Sequence, residues 1–208
     1  MESKDMIMEA AKKLFFEKGY NKTTTREIAE TANVNLGLIP YYFKKKGRIA
    51  QIIYDNLIDD LFNLEDLKIF ECTNSIERLF MSLILIHKRF LENKSYSKFY
   101  LELIYDDIVT SKPHKYTISI IEEIIDEFNI KVSEADLYNY MIIIKGAERS
   151  LIKKKLENKL RISYVEINKL LVLNNLLLLG IDRKLIDQSL DNCITTIKNH
   201  GLFDDLFK

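Results

Sequence analysis

The sequence predicts an all-α protein. Only six glycines and two prolines interrupt 208 residues, apolar side chains return at spacings of three and four along nearly the whole chain, and no segment alternates as a half-buried strand does. With 47% hydrophobic residues the chain can bury a real core.

The first helix is expected to start near Ser3 as N-cap. It buries Ile7, Ala10, Ala11, Leu14 and Phe15 on one stripe and stops at Gly19, which tolerates a left-handed turn. Past Gly47 a longer helix carries Ile49, Ile52, Ile53, Leu57, Leu61 and Leu64 inward. Asn74 with Glu77 reads as a capping box, opening a helix with the stripe Leu79, Phe80, Leu83, Ile84, His87, Phe90 and Leu91. Another helix is expected over 95–110. Pro113 suits the first turn of the next, whose stripe is Ile118, Ile121, Ile124, Ile125 and Phe128. Ser133 caps a long helix reaching about Leu160. Ser163 with Glu166 is a second capping box, Gly180 a stop, and Asp182 the cap of a last helix buried through Ile186, Leu190, Cys193, Ile194 and Ile197.

Between the first and the fourth helix lies the most informative stretch, TTTREIAETANVNLGLIPYYFKKKGR at residues 23–48. Thr24 and Glu27 form a capping box, and Ile28, Ala29 and Ala32 share one face of a helix about two turns long. Asn33 serves as a left-handed stop, Val34 turns inward, and Asn35 opens a second short helix with Ile39 and Phe43 on its buried side. Two short helices joined by a turn and braced by a longer one make a helix-turn-helix. The outward positions of the second helix are Leu36, Gly37, Leu38, Tyr41 and Tyr42, an apolar and aromatic surface that calls for a partner. A DNA major groove admits one helix, hydroxyls of Thr and Tyr bond phosphates, and Lys44, Lys45, Lys46 and Arg48 add charge beside it.

Charge supports that choice. The whole chain is neutral, with 31 basic and 31 acidic residues, but residues 1–50 hold ten Lys/Arg against six Asp/Glu, leaving four positive charges there. Cys72 and Cys193 fit neither a disulfide framework nor a metal motif, no signal peptide opens the chain, and no apolar run spans a bilayer. A cytoplasmic protein without membrane partner, metal or cofactor is expected. Three scattered histidines build no metal site: His87 reads as a core residue, while His114 and His200 fall near helix ends. No nucleophile motif, Gly-rich phosphate loop or HExxH is present, so the chain is not read as an enzyme. Lys153–Lys155 reads as a solvated face.

The stretch resembles the TetR family of bacterial transcriptional regulators. The shared pattern is carried by Gly19, Tyr20, Thr23, Thr24, Arg26, Glu27, Ile28, Ala29, Val34, Gly37, Ile39, Tyr42, Phe43 and Lys46, over about residues 5–55. That resemblance implies a homodimer on a palindromic double-stranded operator, with its last two helices in a four-helix dimer interface. It places Thr24 or Thr25, Tyr42 and Lys46 on phosphates and residues around Arg26, Leu36, Gly37, Leu38 and Tyr41 near bases; Asn35, at the start of the second short helix, and Lys44, in the basic cluster, complete the expected DNA-binding set. Arg26 suits a bidentate guanine contact, and Leu36 and Leu38 suit thymine methyl groups. Three residues depart from the pattern. Asn33 stands for a turn glycine and Gly47 for an acidic residue. Pro40 replaces a common tyrosine; as the fifth helical residue it predicts a bent or partly 3₁₀ recognition helix.

The domains expected are therefore 1–47, binding DNA, and 48–208, binding a small effector and dimerising. Phe99, Tyr100, Tyr105, Tyr116, Tyr138, Tyr140 and Met141 are the aromatic and soft side chains that suit an effector pocket among the middle helices, as they equally suit a packed core; Glu102, Glu148 and Arg149 matter there if buried. The sequence leaves a rival open, a helical ligand-binding or scaffolding protein without DNA binding.

Overall fold

The structure, a computed structural model, describes residues 2–63, 72–108 and 115–200. Its described elements are ten α-helices: α1 (Ser3–Glu17), α2 (Thr25–Thr31), α3 (Leu38–Phe43), α4 (Lys46–Asn63), α5 (Ser75–Glu92), α6 (Lys94–Tyr105), α7 (Lys115–Glu127), α8 (Glu134–Leu156), α9 (Tyr164–Leu178) and α10 (Arg183–His200). The expectations for Leu64, Pro113 and His114, and for the side chains of Leu61, Phe90, Leu91 and His200, fall outside what is described. The chain divides into two compact units, Met1–Asp60 with Arg89–Thr110, and Leu61–Lys88 with Ser111–Lys208.

In the first unit α1 packs on α2, α3 and α6. It buries Ile7, Ala10, Ala11 and Phe15, while Leu14 is only partly covered. Phe15 is the hub: its ring stacks on Phe99 of α6 at 5.8 Å and meets the edge of Tyr20 at 5.3 Å. Lys98 donates to the Lys18 carbonyl at 3.0 Å, and Glu102 accepts the Asn21 N–H at 3.2 Å, so α6 also holds the chain between α1 and α2. The start of α1 differs from expectation: Glu2 is the N-cap, and no side chain bonds the free amides there.

With glycine scarce, asparagine and aspartate close four of the described helices. Asn33, Asp107, Asn129 and Asn158 adopt φ of 52°, 56°, 49° and 57°, beside Gly180 at 82°. At each, the amide two residues past the C-cap returns to a carbonyl five residues back: Val34 to Ala29, Ile108 to Leu103, Ile130 to Ile125, Lys159 to Lys154, Ile181 to Leu176. These are Schellman closures, and four of the five place an apolar residue next to pack on the helix they end. They also explain why α6 stops at Tyr105 and α8 at Leu156, short of the expected 110 and 160. Asn33→Ala, which keeps φ of 52° without the side chain that tolerates it, is expected to lower unfolding free energy by about 1 kcal/mol, whereas Asn33→Gly should not; denaturant melts of the two compare them.

The second unit packs α5, α7, α8, α9 and α10. Its core holds Ile76, Leu79, Phe80 and Ile84 of α5, Ile120, Ile121 and Ile124 of α7, Ile152 of α8, Ile167, Leu171, Val172 and Leu176 of α9, and Ile186, Leu190 and Ile197 of α10. Ser163 and Glu166 form the expected capping box, Asp182 accepts from Lys184 and Leu185, and Ser133 from Asp136. At α5 the box is half made. Glu77 N–H donates to Asn74 Oδ1 at 2.9 Å, but the Glu77 carboxylate turns to Thr73 N–H and Asn192 instead.

Candidate nucleic-acid interface

The site begins with two caps. Thr24 Oγ1 accepts the Glu27 N–H at 3.2 Å, and Glu27 Oε2 accepts the Thr24 N–H at 2.7 Å, so α2 starts as a closed box. Lys18 pairs with the same carboxylate. The Lys18 side-chain bond and then the Thr24 bonds hold the Glu27 carboxyl down at about 2. A depressed carboxyl contributes stability that is complete above its ordinary value of 4.5 and is lost as pH falls toward about 2. Glu27→Gln should therefore flatten the fall of the thermal midpoint across that acid window; an unchanged fall would remove Glu27 as its source.

Thr23, 1% exposed, donates to the Gly19 carbonyl at 2.8 Å and anchors the approach to α2. That leaves Thr24 and Arg26 exposed and Thr25 half-buried on the outer side.

Asn33 and Val34 turn the chain, and Asn35 Oδ1 then accepts the Gly37 N–H at 2.8 Å. The next two bonds are short-range: Leu38 N–H to Asn35 O at 3.0 Å and Ile39 N–H to Leu36 O at 3.2 Å. This three-residue spacing is a 3₁₀ turn, and only from Tyr41 N–H to Gly37 O does the i−4 pattern resume. Pro40 thus lies in the first turn of α3, where its missing N–H leaves no bond broken, because the Leu36 carbonyl is already taken by Ile39. The expected partial 3₁₀ character is present, but as a lead-in to the helix rather than as damage within it.

Ile39 and Phe43, each 1% exposed, seat α3 on the first unit's core. The opposite side carries Leu36 at 41%, Tyr41 at 77% and Tyr42 at 40% exposed, with Gly37 and Pro40 open between them. Tyr41 and Tyr42 brace each other edge to face at 4.9 Å. Leu38 is half-buried and packs on the core, so its outward reach is less than that of Leu36.

The basic cluster is split by the fold. Lys44, held at φ 63°, Lys45 and Arg48 are exposed beside α3. Lys46 turns inward: its ammonium donates to the carbonyls of Tyr20 and Thr23, both at 2.8 Å, and lies 4.0 Å from the centre of the Tyr20 ring. Burial lowers its pKa, with Asp106, Glu102 and Glu27 opposing. Lys46 therefore ties the start of α4 to the chain entering α2. Lys46→Met removes both bonds, and although the Tyr20 carbonyl keeps the Thr23 N–H, the Thr23 carbonyl loses its donor, so the change should cost about 1–3 kcal/mol in a denaturant melt, while Lys44→Met costs almost nothing.

The expected effector residues are dispersed. Phe99 and Tyr100, 0% and 4% exposed, belong to the first unit's core, where Tyr100 stacks on Tyr54 at 5.7 Å. Tyr105 and Tyr138 are more than half exposed, and Tyr116 and Tyr140 are half-buried. Met141 alone of the group lines the cavity within the second unit. That cavity, about 20 Å³, is walled by Leu79 and Leu83 of α5, Thr117 and Ile121 of α7, Met141, Ile144, Lys145 and Glu148 of α8, and Leu171 and Asn175 of α9. Glu148 is 7% exposed and bonded to Lys145 at 2.6 Å; His87, 3% exposed and within electrostatic reach of Glu148, shares a 2.8 Å bond with Asn168. Buried Asn168 and Asn175, one heptad apart on a leucine-rich helix, were the available signal for this polar interior. Among the described residues no His, Cys, Asp or Glu group could hold a metal, and no helix is long and apolar enough to cross a membrane.

Comparison with known proteins fits the geometry. The profile described as bacterial regulatory proteins, tetR family, matches residues 7–51. A probable HTH-type transcriptional regulator of Bacillus subtilis, YttP, is 49% identical over 49 residues, 24% of each chain. The HTH-type transcriptional regulator QacR of Staphylococcus aureus is 38% identical over 68 residues, 33% of this chain and 32% of its own. The matched part thus spans a quarter to a third of these relatives' length. Solved structures extend the likeness in fold alone. RolR with resorcinol superposes with a TM-score of 0.67 at 14% identity, covering 90% of this chain and 92% of its own. Thermus thermophilus FadR with lauroyl-CoA gives 0.58 at 18% identity, covering 84% and 92%.

Proposed function

We propose, from the premise that this chain belongs to the tetR family of bacterial transcriptional regulators, that it is a cytoplasmic repressor binding a palindromic operator as a homodimer and leaving it when a small effector binds. Residues 1–47 carry the DNA-binding role and residues 48–208 the effector and dimer roles. The observation that carries this reading is the face of α3. A six-residue helix spends Ile39 and Phe43 on its own core and turns Tyr41 to solvent, with Leu36 and Gly37 exposed in the turn that leads into it. Arg26 and Thr24 stand exposed on α2, and Lys44, Lys45 and Arg48 on the following turn. Apolar and backbone contacts at the helix suit base edges, while the flanking hydroxyls and cations suit phosphates.

Dimerisation is supported by α9, where Leu170, Leu177 and Leu178 form an exposed stripe around Asn174, at 42%, 41% and 38%. The outer side of α10 is polar, with Gln188, Asp191, Asn192 and Thr195. An apolar stripe flanked by a polar helix suits the centre and rim of an interface between copies. The small ligands held by RolR and FadR support an effector for this chain. Two recognition helices must stand about 34–36 Å apart to enter successive major grooves. An effector that prefers a dimer of different spacing releases the operator through its differential affinity.

Selecting bound duplexes from a random pool tests this reading. Enrichment of one inverted repeat is expected; recovery of no common sequence would favour a ligand-binding protein without DNA binding.

A further inference from the structure

The second unit's cavity holds an ion pair whose two halves are unequally fixed. Glu148 has its side chain 10% exposed and hangs on a two-carbon stem; Lys145, at 19%, carries its charge on four carbons. A long lysine stem can lift its ammonium to water by a change of rotamer, whereas the short carboxylate stays where α8 puts it. The pair is a fixed anion with a replaceable cation. Exchanging Lys145 for another cation keeps the buried charge balanced. An entering anion would add a second negative charge beside Glu148, and a neutral molecule taking the lysine's place would strand the carboxylate.

His87 deepens the asymmetry. The Asn168 amide donates through Nδ2 to the Tyr164 carbonyl at 2.9 Å, so its Oδ1 faces the imidazole and His87 Nδ1 must be the donor. Burial lowers the pKa of His87 against the pull of Glu148, which leaves the ring neutral with Nε2 as a bare acceptor. That atom has no partner among the described residues. It stands one turn beyond Leu83 on the same stripe of α5. On the cavity wall itself the Glu148 carboxylate favours a donor, while Leu79, Leu83, Ile121 and Leu171 favour an apolar body.

We propose that this cavity receives an apolar molecule bearing one protonated amine, whose ammonium replaces that of Lys145 on Glu148 while Met141 and Lys145 move aside to enlarge the space. The proposal rests on the effector reading above and names its ligand class. At about 20 Å³ the cavity admits one water, so binding selects an opened form, as an effector that shifts a population must. Met141, unbranched and flexible, is suited to give way.

The test titrates 4-phenylbutylamine, 4-phenylbutanol and 4-phenylbutyrate into the full-length protein by calorimetry, with the Met141 methyl resonance reporting on the cavity. The amine should shift that resonance and bind about tenfold or more tightly than the alcohol, with the carboxylate weakest. Glu148→Gln should erase the amine's advantage, and Lys145→Met, by removing the competing cation, should raise the amine's affinity. If Lys145→Met does not fold, the ranking of the three probes on the wild type and on the isosteric Glu148→Gln decides. An alcohol or carboxylate that binds as tightly as the amine while shifting Met141 overturns the cationic class and leaves the effector cavity standing. A Met141 resonance untouched by all three overturns both.

Discussion

Leu36→Ala with Tyr41→Ala should abolish operator-specific binding while the protein still folds. Both side chains are exposed, at 41% and 77%, so truncating them costs little stability. Each lost base or phosphate contact weakens a specific complex by about 1–3 kcal/mol. A symmetric dimer loses both residues twice, so the summed loss of at least about 4 kcal/mol is roughly a thousandfold in affinity. Binding to unrelated duplexes, which depends on cations such as Lys44, Lys45 and Arg48, should persist with its salt dependence unchanged. Fluorescence anisotropy on the selected site and on a scrambled one measures both. Retention of specific affinity in the double variant would move sequence reading away from α3.

Phe15→Ala should be the most destabilising single change in the first unit, at about 3–5 kcal/mol. The ring is 1% exposed and touches Phe99 on one side and Tyr20 on the other. α3 has only six residues and cannot persist without the core beneath Ile39 and Phe43. Losing the hub should therefore take DNA binding with it. A denaturant melt together with anisotropy checks the pair of outcomes; full DNA binding with a lowered melting point would show that α3 is held by other means.

Features set by local chemistry were legible in the sequence. The Thr24–Glu27 and Ser163–Glu166 boxes, the Asn33 stop and the exposure of Leu36, Gly37 and Tyr41 follow from neighbours within four residues, and the structure forms them as expected, whereas Leu38, expected outward, packs on the core. Features that depend on chain meeting chain were not. Lys46 reads from the sequence as a phosphate contact at the end of three lysines, and its inward turn is not legible there, because the carbonyls that claim it belong to Tyr20 and Thr23, more than twenty residues earlier. Phe99 and Tyr100 looked like pocket walls on composition, but α6 packs on α1, and Phe15 takes Phe99 into the first unit's core. The bond of His87 with Asn168, and the electrostatic influence between His87 and Glu148, involve three helices that no periodicity links. Pro40 was misjudged by position: a helix counted from Leu36 puts it in the interior, whereas α3 begins at Leu38.

The most direct measurement bears on the helix of one protomer acting in register with that of its twin. An insertion of half a helical turn, about 5 base pairs, at the centre of the selected inverted repeat turns the two half-sites to opposite sides of the duplex. Affinity should fall to that of scrambled DNA. Equal affinity for the original and the lengthened site would contradict a symmetric pair of recognition helices on DNA.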